Sequence, residues 1–200
     1  MRPARPVLAA GAVAVALAAA GCGASSSSNG GQASTPPNPN GPEVNPAGDI
    51  PDNQAYVRYA PPGGGFTVKV PEGWARSSAA GAVTFTDKLN AIRIESAAAR
   101  ARLTARVARQ TALPKLRASV TGFQLGTVGT VARTAGSAVR ITYLAAAKGS
   151  PVTGKGGTDA VERYVFFHKG RDVILTLSGP KGADNVDPWK LVTDSVRWTR

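Results

Sequence analysis

The sequence predicts an α+β domain: an antiparallel β-sheet of about seven strands sandwiched by two main helices, behind a disordered N-terminal tether. Three observations predict this. Apolar residues alternate with period two from Phe66 to Glu95 and again from Phe123 to Ser178. Between them, from Ala97 to Val120, the period lengthens to that of a helix, and Asp187-Pro188 opens a second helical stretch. Ahead of Pro61 the chain is dense in Ser, Asn, Gly and Pro, with too few apolar residues to build a core.

The N-terminus carries a different signal. Met1 to Pro6 holds Arg2 and Arg5, Val7 to Ala20 is apolar, and small residues lead to Cys22, the single cysteine. A charged segment, an apolar segment and a small-residue junction make a secretory signal. The run is shorter than the roughly 20 residues that span a bilayer, and Ser-rich sequence follows it. Ala20, Gly21 and Cys22 resemble the lipobox of bacterial lipoproteins; Ala19 departs from it, with the usual Leu found instead at Leu17. That resemblance implies cleavage between Gly21 and Cys22 and a diacylglycerol thioether on Cys22, with palmitate among its acyl chains. Two chains give stable anchoring where one does not. The expected organisation is therefore a signal over residues 1–21, lipidated Cys22 and tether over 22–60, and a globular domain over 61–200. The expected location is the outer face of the cell membrane. A flexible tether of this length reaches roughly 35 Å, and Tyr56 and Tyr59 near its end are expected to dock on the domain.

Phe66, Val68 and Val70 alternate with Thr67 and Lys69, a half-buried strand ended by the turn Pro71-Glu72-Gly73. Ala82 to Thr86 follows with Val83 and Phe85 on one face, then Ala91 to Glu95 with Ile92 and Ile94 inward. In the helical stretch Leu103, Val107 and Leu116 mark one face, Thr104 is a cap, and Pro114 is expected to kink or split the helix. Four strand runs come next: Phe123–Ala132, Ala138–Ala147, Asp159–His168 and Val173–Ser178. Glycines 126 and 129 in the first suggest a bulge. Tyr164 and Phe166 face opposite to Val165 and Phe167, so this strand is expected to be covered on both sides. Lys169 to Asp172 is a tight turn. In the last helix Asp187 is the expected N-cap and Trp189, Val192 and Val196 its apolar stripe.

The chain carries a formal charge of +12, from 24 Lys and Arg against 12 Asp and Glu. Without Arg2 and Arg5 this becomes 22 against 12, or +10. For an exported protein, nucleic acid is not the expected partner; anionic lipid headgroups and acidic wall polymers are. The charge is densest on the first helix, where Arg102, Arg106 and Arg109 recur at helical spacing, joined by Arg100, Lys115 and Arg117. No acid lies between Ala97 and Val120. A solvated helix face is the ordinary outcome of such a stripe; binding to an anionic surface is the functional one.

Gly65 to Trp74 (GFTVKVPEGW) looks like the opening signature of the PsbP-like fold, and Tyr164 to Asp172, Leu175 to Ser178, Asp184, Trp189 and Trp198 resemble its closing elements. The resemblance covers Ala60 to Arg200, and small exported lipoproteins of high-GC Gram-positive bacteria share the pattern. It implies an α/β/α sandwich. It implies no particular ligand, because relatives include a photosystem extrinsic subunit and a Ran-binding import factor.

The residues offer little for catalysis. His168 is the only histidine, and a hydrolase would have to be built on it. One His and one Cys cannot make a zinc site. Asp159 with Glu162, and Asp184, Asp187 and Asp194, are scattered acids for which capping and solvation suffice. Thr153 to Gly157 lacks the spacing of a phosphate loop. The expectation is a monomeric, non-enzymatic lipoprotein with no cofactor, no metal and no nucleic acid. It would bind an envelope protein, an anionic lipid or a wall polymer. A small-ligand carrier, with a pocket between sheet and helix near Trp74, Trp189 and Trp198, is the alternative; a hydrolase using His168 is the more remote one.

Overall fold

The structure, a computed structural model, describes residues 47–147 and 156–199. The signal, Cys22, the first part of the tether and the loop residues 148–155 lie outside the described residues. Among the described residues, two antiparallel sheets and two helices make up the domain. In the smaller sheet β2 (Phe66–Pro71) is central, flanked by β1 (Tyr56–Tyr59) and by β10 (Arg197–Trp198). The larger sheet contains β3 (Ala75–Ala79), β4 (Ala82–Asp87), β5 (Asn90–Ala98), β6 (Gln124–Arg133), β7 (Gly136–Ala146), β8 (Thr158–His168) and β9 (Arg171–Pro180). Its spatial order is β3-β4-β5-β9-β8-β7-β6. After β5 the chain crosses through α1 (Ala105–Ser119) to the far edge. It then returns by hairpins until β9 pairs with β5.

Alternation along each strand sends side chains into two cores. One joins Phe66, Val68 and Val70 of β2 and Trp189 and Val192 of α2 (Val186–Asp194) to Ile92, Ile94, Phe166, Leu175 and Leu177 of the large sheet. The other packs Ala108 of α1 on Val128, Val139, Ile141, Tyr143 and Val161. Strand β8 contributes to both, with Tyr164 and Phe166 in the first core and Val161 in the second, as its two apolar faces predict. The layers are therefore α1, the large sheet, and a third layer of α2 with the small sheet.

Several expectations are corrected. The tether does not run to Ala60, because residues 47–60 belong to the domain. Ile50 is buried, Tyr56–Tyr59 pairs with β2, and the Tyr59 ring meets Phe85 edge-on at 5.0 Å. This segment is held by polar contacts, which a count of apolar residues does not register. The Gly48 carbonyl accepts from Asn90 Nδ2 (2.8 Å) and Asn185 Nδ2 (2.9 Å), and the Ile50 amide donates to Asn185 Oδ1 (2.8 Å). Asn185 Nδ2 also donates to Asn90 Oδ1 at 3.1 Å, and both asparagines are buried.

The large sheet has seven strands, but not the seven that alternation predicts. Phe66–Pro71 leaves for the small sheet, and Ala75–Ala79 takes its place as an edge strand. All five residues of β3 are exposed, so it carries no apolar period. The first helix begins at Ala105, since residues up to Ala98 still pair with β9. Thr104 caps it, its Oγ1 accepting from the Val107 amide at 3.2 Å. Pro114 does not split it: the helix is continuous to Ser119, and Pro114 and Gln110, whose carbonyl it leaves unpaired, are both exposed to solvent. Leu103 and Leu116 pack on the second core as expected, but Val107 is outside that face at 41% exposure, and Ala105, Ala108 and Ala112 complete it. The cap of α2 is Asn185, not Asp187, and its side chain makes no capping bond because it is engaged with Ile50 and Gly48. The predicted bulge is present, with the register slipping between Leu125 and Val128. The tight turn is Lys169-Gly170, both at positive φ.

Asn185→Ala is expected to cost about 3 kcal/mol, because it strands a buried amide and a buried asparagine. Asp187→Ala should cost under about 1 kcal/mol. Urea denaturation compares the two, and the reverse order would restore Asp187 as the capping residue.

Candidate functional site

Cys22 and the Gly21–Cys22 junction lie outside the described residues. Arg102, Arg106 and Arg109 are all exposed, but they do not form one free stripe. Arg102 precedes the cap and donates to the Ser137 carbonyl at 3.4 Å. Arg109 donates to the carbonyls of Val128 and Ala105, lying across towards the edge strand β6. Arg106 makes no hydrogen bond among the described residues. His168 stacks on Trp198 with ring centres 4.7 Å apart and planes 14° from parallel. Trp198 in turn donates Nε1 to the Ala135 carbonyl and meets Phe66 edge-on. This is packing that fastens β8 to the small sheet. Asp159 and Glu162 differ in strand parity and so leave opposite faces of β8. Among the described residues no group of three or more His, Cys, Asp or Glu is placed to hold a metal.

Trp74 and Trp198 pack at the rim of the first core, and Trp189 borders a groove. That groove has a volume of about 330 Å³ and lies between α2 and the sheet. Arg140, Thr142, Leu144, Ala160 and Glu162 line it with Trp189, and the bulge at Gly126 closes one end. A Cβ added at Gly126 would lie 2.5 Å from Thr142 Oγ1, so the strand approaches this closely only as glycine.

Behind the groove runs a chain of polar contacts. Arg140 pairs with Glu162. Tyr164 donates its hydroxyl to Glu162 at 2.6 Å and accepts from Arg133 Nη2 at 3.0 Å. The Arg133 guanidinium lies 5.1 Å from the centre of the Tyr164 ring and donates Nε to Thr193 Oγ1 of α2. Burial, then the bond to Glu162, pushes the Tyr164 phenol up to about 12, so it stays protonated and serves as a donor. The arrangement fixes one guanidinium and one indole at a groove mouth. That geometry suits recognition. Sequence alone placed none of this chain, yet a signal was present: Arg140 and Glu162 fall on the inward parity of strands whose neighbours are apolar.

No model of a known protein family matches the sequence, and neither does any curated protein. Solved structures do. Cyanobacterial PsbP (CyanoP) from Synechocystis sp. PCC 6803 matches 72% of this chain and 93% of its own at 14% identity, with a TM-score of 0.51. The fold is PsbP-like. The Ran-binding protein Mog1p of Saccharomyces cerevisiae is 11% identical over 73% of this chain and 96% of its own, with a TM-score of 0.48. LpqN of Mycobacterium tuberculosis, described as involved in cell envelope biogenesis, is 16% identical over 74% of this chain and 87% of its own, with a TM-score of 0.39.

At the end of α2 in this PsbP-like domain, a hydrogen bond from Lys190 (2.8 Å) holds the Asp194 carboxyl below the usual carboxylate range, and the nearby Arg133 charge adds to the effect. A folded value below the unfolded one stabilises at neutral pH. That contribution is lost as pH falls below about 4. Asp194→Asn is expected to lower stability at pH 7 by up to about 1 kcal/mol, given the exposure of Lys190. The difference should shrink as the pH is lowered to about 2. Urea midpoints at the two pH values check this, and an equal difference at both would contradict it.

Proposed function

We propose that the chain is a lipoprotein held by lipid on Cys22 at the extracytoplasmic face of the membrane, and that its PsbP-like domain is a non-enzymatic binding module for an envelope partner. The partner classes are a protein, an anionic lipid or a wall polymer. One observation carries the binding reading. Among the described residues no ion pair involves a cation of α1, although Arg106, Arg109, Lys115 and Arg117 are exposed on it. The helix thus presents positive charge that no carboxylate among the described residues neutralises. Each basic side chain near an anionic membrane is worth about 1 kcal/mol. The anchor rests on the Cys22 junction alone, and it would keep the domain within tether reach of such a surface.

A small-ligand carrier is the second reading, favoured by the groove beside Trp189. It differs in consequence: a carrier's affinity would follow Arg140 and Trp189, whereas surface binding follows the helix.

Protein with Cys22→Ser is expected to co-sediment with phosphatidylglycerol vesicles at low salt and to be released as salt rises. Reversing Arg102, Arg106 and Arg109 to Glu should weaken this at least hundredfold. Metabolic labelling with palmitate should mark the wild-type chain and not Cys22→Ala. Unchanged sedimentation would remove the helix as a binding surface, and labelling of Cys22→Ala would remove the anchor.

A further inference from the structure

We infer that the outward face of the small sheet is a second anionic-ligand site, built to take a phosphate ester between Arg58, Lys69 and Arg197. It goes beyond the proposed function, because it lies in a different layer from α1 and holds whether or not α1 binds a surface. Strand β2 sends Phe66, Val68 and Val70 into the core, so Thr67 and Lys69 point out. The register then assembles the site. Lys69 stands directly opposite Arg58 of β1, and Thr67 directly opposite Arg197 of β10. Side chains directly opposite in an antiparallel pair share a face, with Cβ atoms about 5 Å apart. Three strands therefore each place one cation on the same face, in a groove of about 300 Å³ that also has Thr134, Asp194 and Ser195 in its lining.

The frame of the groove is fixed. Ser195 Oγ accepts from the Lys69 amide at 2.7 Å and donates to the Val192 carbonyl at 2.6 Å. Arg197 Nη1 donates to the carbonyls of Asp194 (2.8 Å) and Val196 (2.7 Å). Its Nε and Nη2 have no partner among the described residues.

The charges are not balanced. Like charges directly opposite on a sheet destabilise it, and Arg58 and Lys69 form such a pair. Asp194, the one carboxylate lining the groove, already takes Lys190 on Oδ2 at 2.8 Å and faces Arg133 Nε at 3.8 Å. Arg58, Lys69 and Arg197 make no ion pair among the described residues. A phosphate monoester brings a charge near −2 and three acceptor oxygens, and a diester such as a lipid headgroup a charge of about −1 and two. Either would turn the repulsion between Arg58 and Lys69 into shared attraction, with the fork of Arg197 presented to its oxygens. The ester could come from a free molecule, as a monoester, or from a lipid headgroup, as a diester; the anionic phosphate oxygens that meet the three cations are common to both.

The experiment titrates the protein, carrying Cys22→Ser, with glycerol phosphate and separately with phosphatidylglycerol vesicles, each against sodium chloride at equal ionic strength. Amide NMR shifts at Thr67, Lys69, Ser195 and Arg197 and the change in Tm are the readouts. Saturable shifts at these amides with a rise in Tm are expected. Lys69→Ala should weaken binding about tenfold or more. Without ligand it should leave Tm unchanged or raised, because it also removes the like-charge pair; a merely structural lysine would lower Tm. Replacing Arg102, Arg106 and Arg109 by Glu should leave glycerol phosphate binding intact, which separates this site from the helix face. Binding in both arms, or in one, supports the site and identifies the source of the ester. No saturable shift in either arm, or wild-type affinity in Lys69→Ala, would overturn it.

Discussion

The domain is closed by a polar clasp of two buried asparagines. Asn185 takes the Ile50 amide on its oxygen and gives its nitrogen to the Gly48 carbonyl and to Asn90, which itself donates to Gly48. Each residue belongs to a different part of the chain: Gly48 and Ile50 to the entry segment, Asn90 to the start of β5, Asn185 to the start of α2. The geometry around them leaves no slack. Gly48 sits at φ +99° with Pro180 against it, and a Cβ at Gly179 would collide with Asn90 and approach Asn185 Nδ2 to 2.9 Å. A buried amide left unpaired costs about 1–3 kcal/mol. The asparagines therefore act as a unit, and losing one orphans the other.

What the clasp secures is the third layer. Strand β1 follows directly from Ile50, and β1 fixes one flank of β2. With β1 in place, Arg58 faces Lys69, and the cations of the small sheet share one surface. On the opposite layer, α1 needs no such device, because its alanines approach the sheet closely and Thr104 fixes its start. Positive charge thus appears on two layers of a sandwich whose interior is apolar. The tyrosine-centred chain from Arg140 to Thr193 is the internal counterpart: Arg140, Glu162, Tyr164, Arg133 and Thr193 are linked in turn, with Arg140 Nε left buried and unpartnered among the described residues.

How much of this the residues announced depends on which force holds each part. Elements held by apolar alternation were legible: β2, β4, β5 and β7 to β9 fall close to their predicted places, and the glycines of β6 marked its bulge. Strand β3 was not, because Ala75–Ala79 is exposed throughout and has only its hydrogen bonds to β4. The entry segment was legible only at Tyr56 and Tyr59, which dock on the first core as expected; the rest was not, because its burial rests on side-chain amides contributed 42 and 137 residues away. The same remoteness explains α2, where Asp187-Pro188 has good capping chemistry and Asn185 is nevertheless the cap. Of the candidate sites, the α1 arginines could be read locally, although Arg102 and Arg109 turned out to lean on backbone carbonyls. The groups around Lys69 could not, because opposite partners in a sheet depend on register, and register depends on the whole fold.

If the clasp is integral to the domain, it opens only when the domain unfolds. Native-state hydrogen exchange at the Ile50 amide tests this directly, with the buried β9 amide of Leu175 as the reference for global opening. Equal opening free energies at Ile50 and Leu175, both responding to urea with the slope of global unfolding, are the predicted result. Rapid exchange at Ile50 while Leu175 stays protected would contradict it, and would return residues 47–60 to the tether.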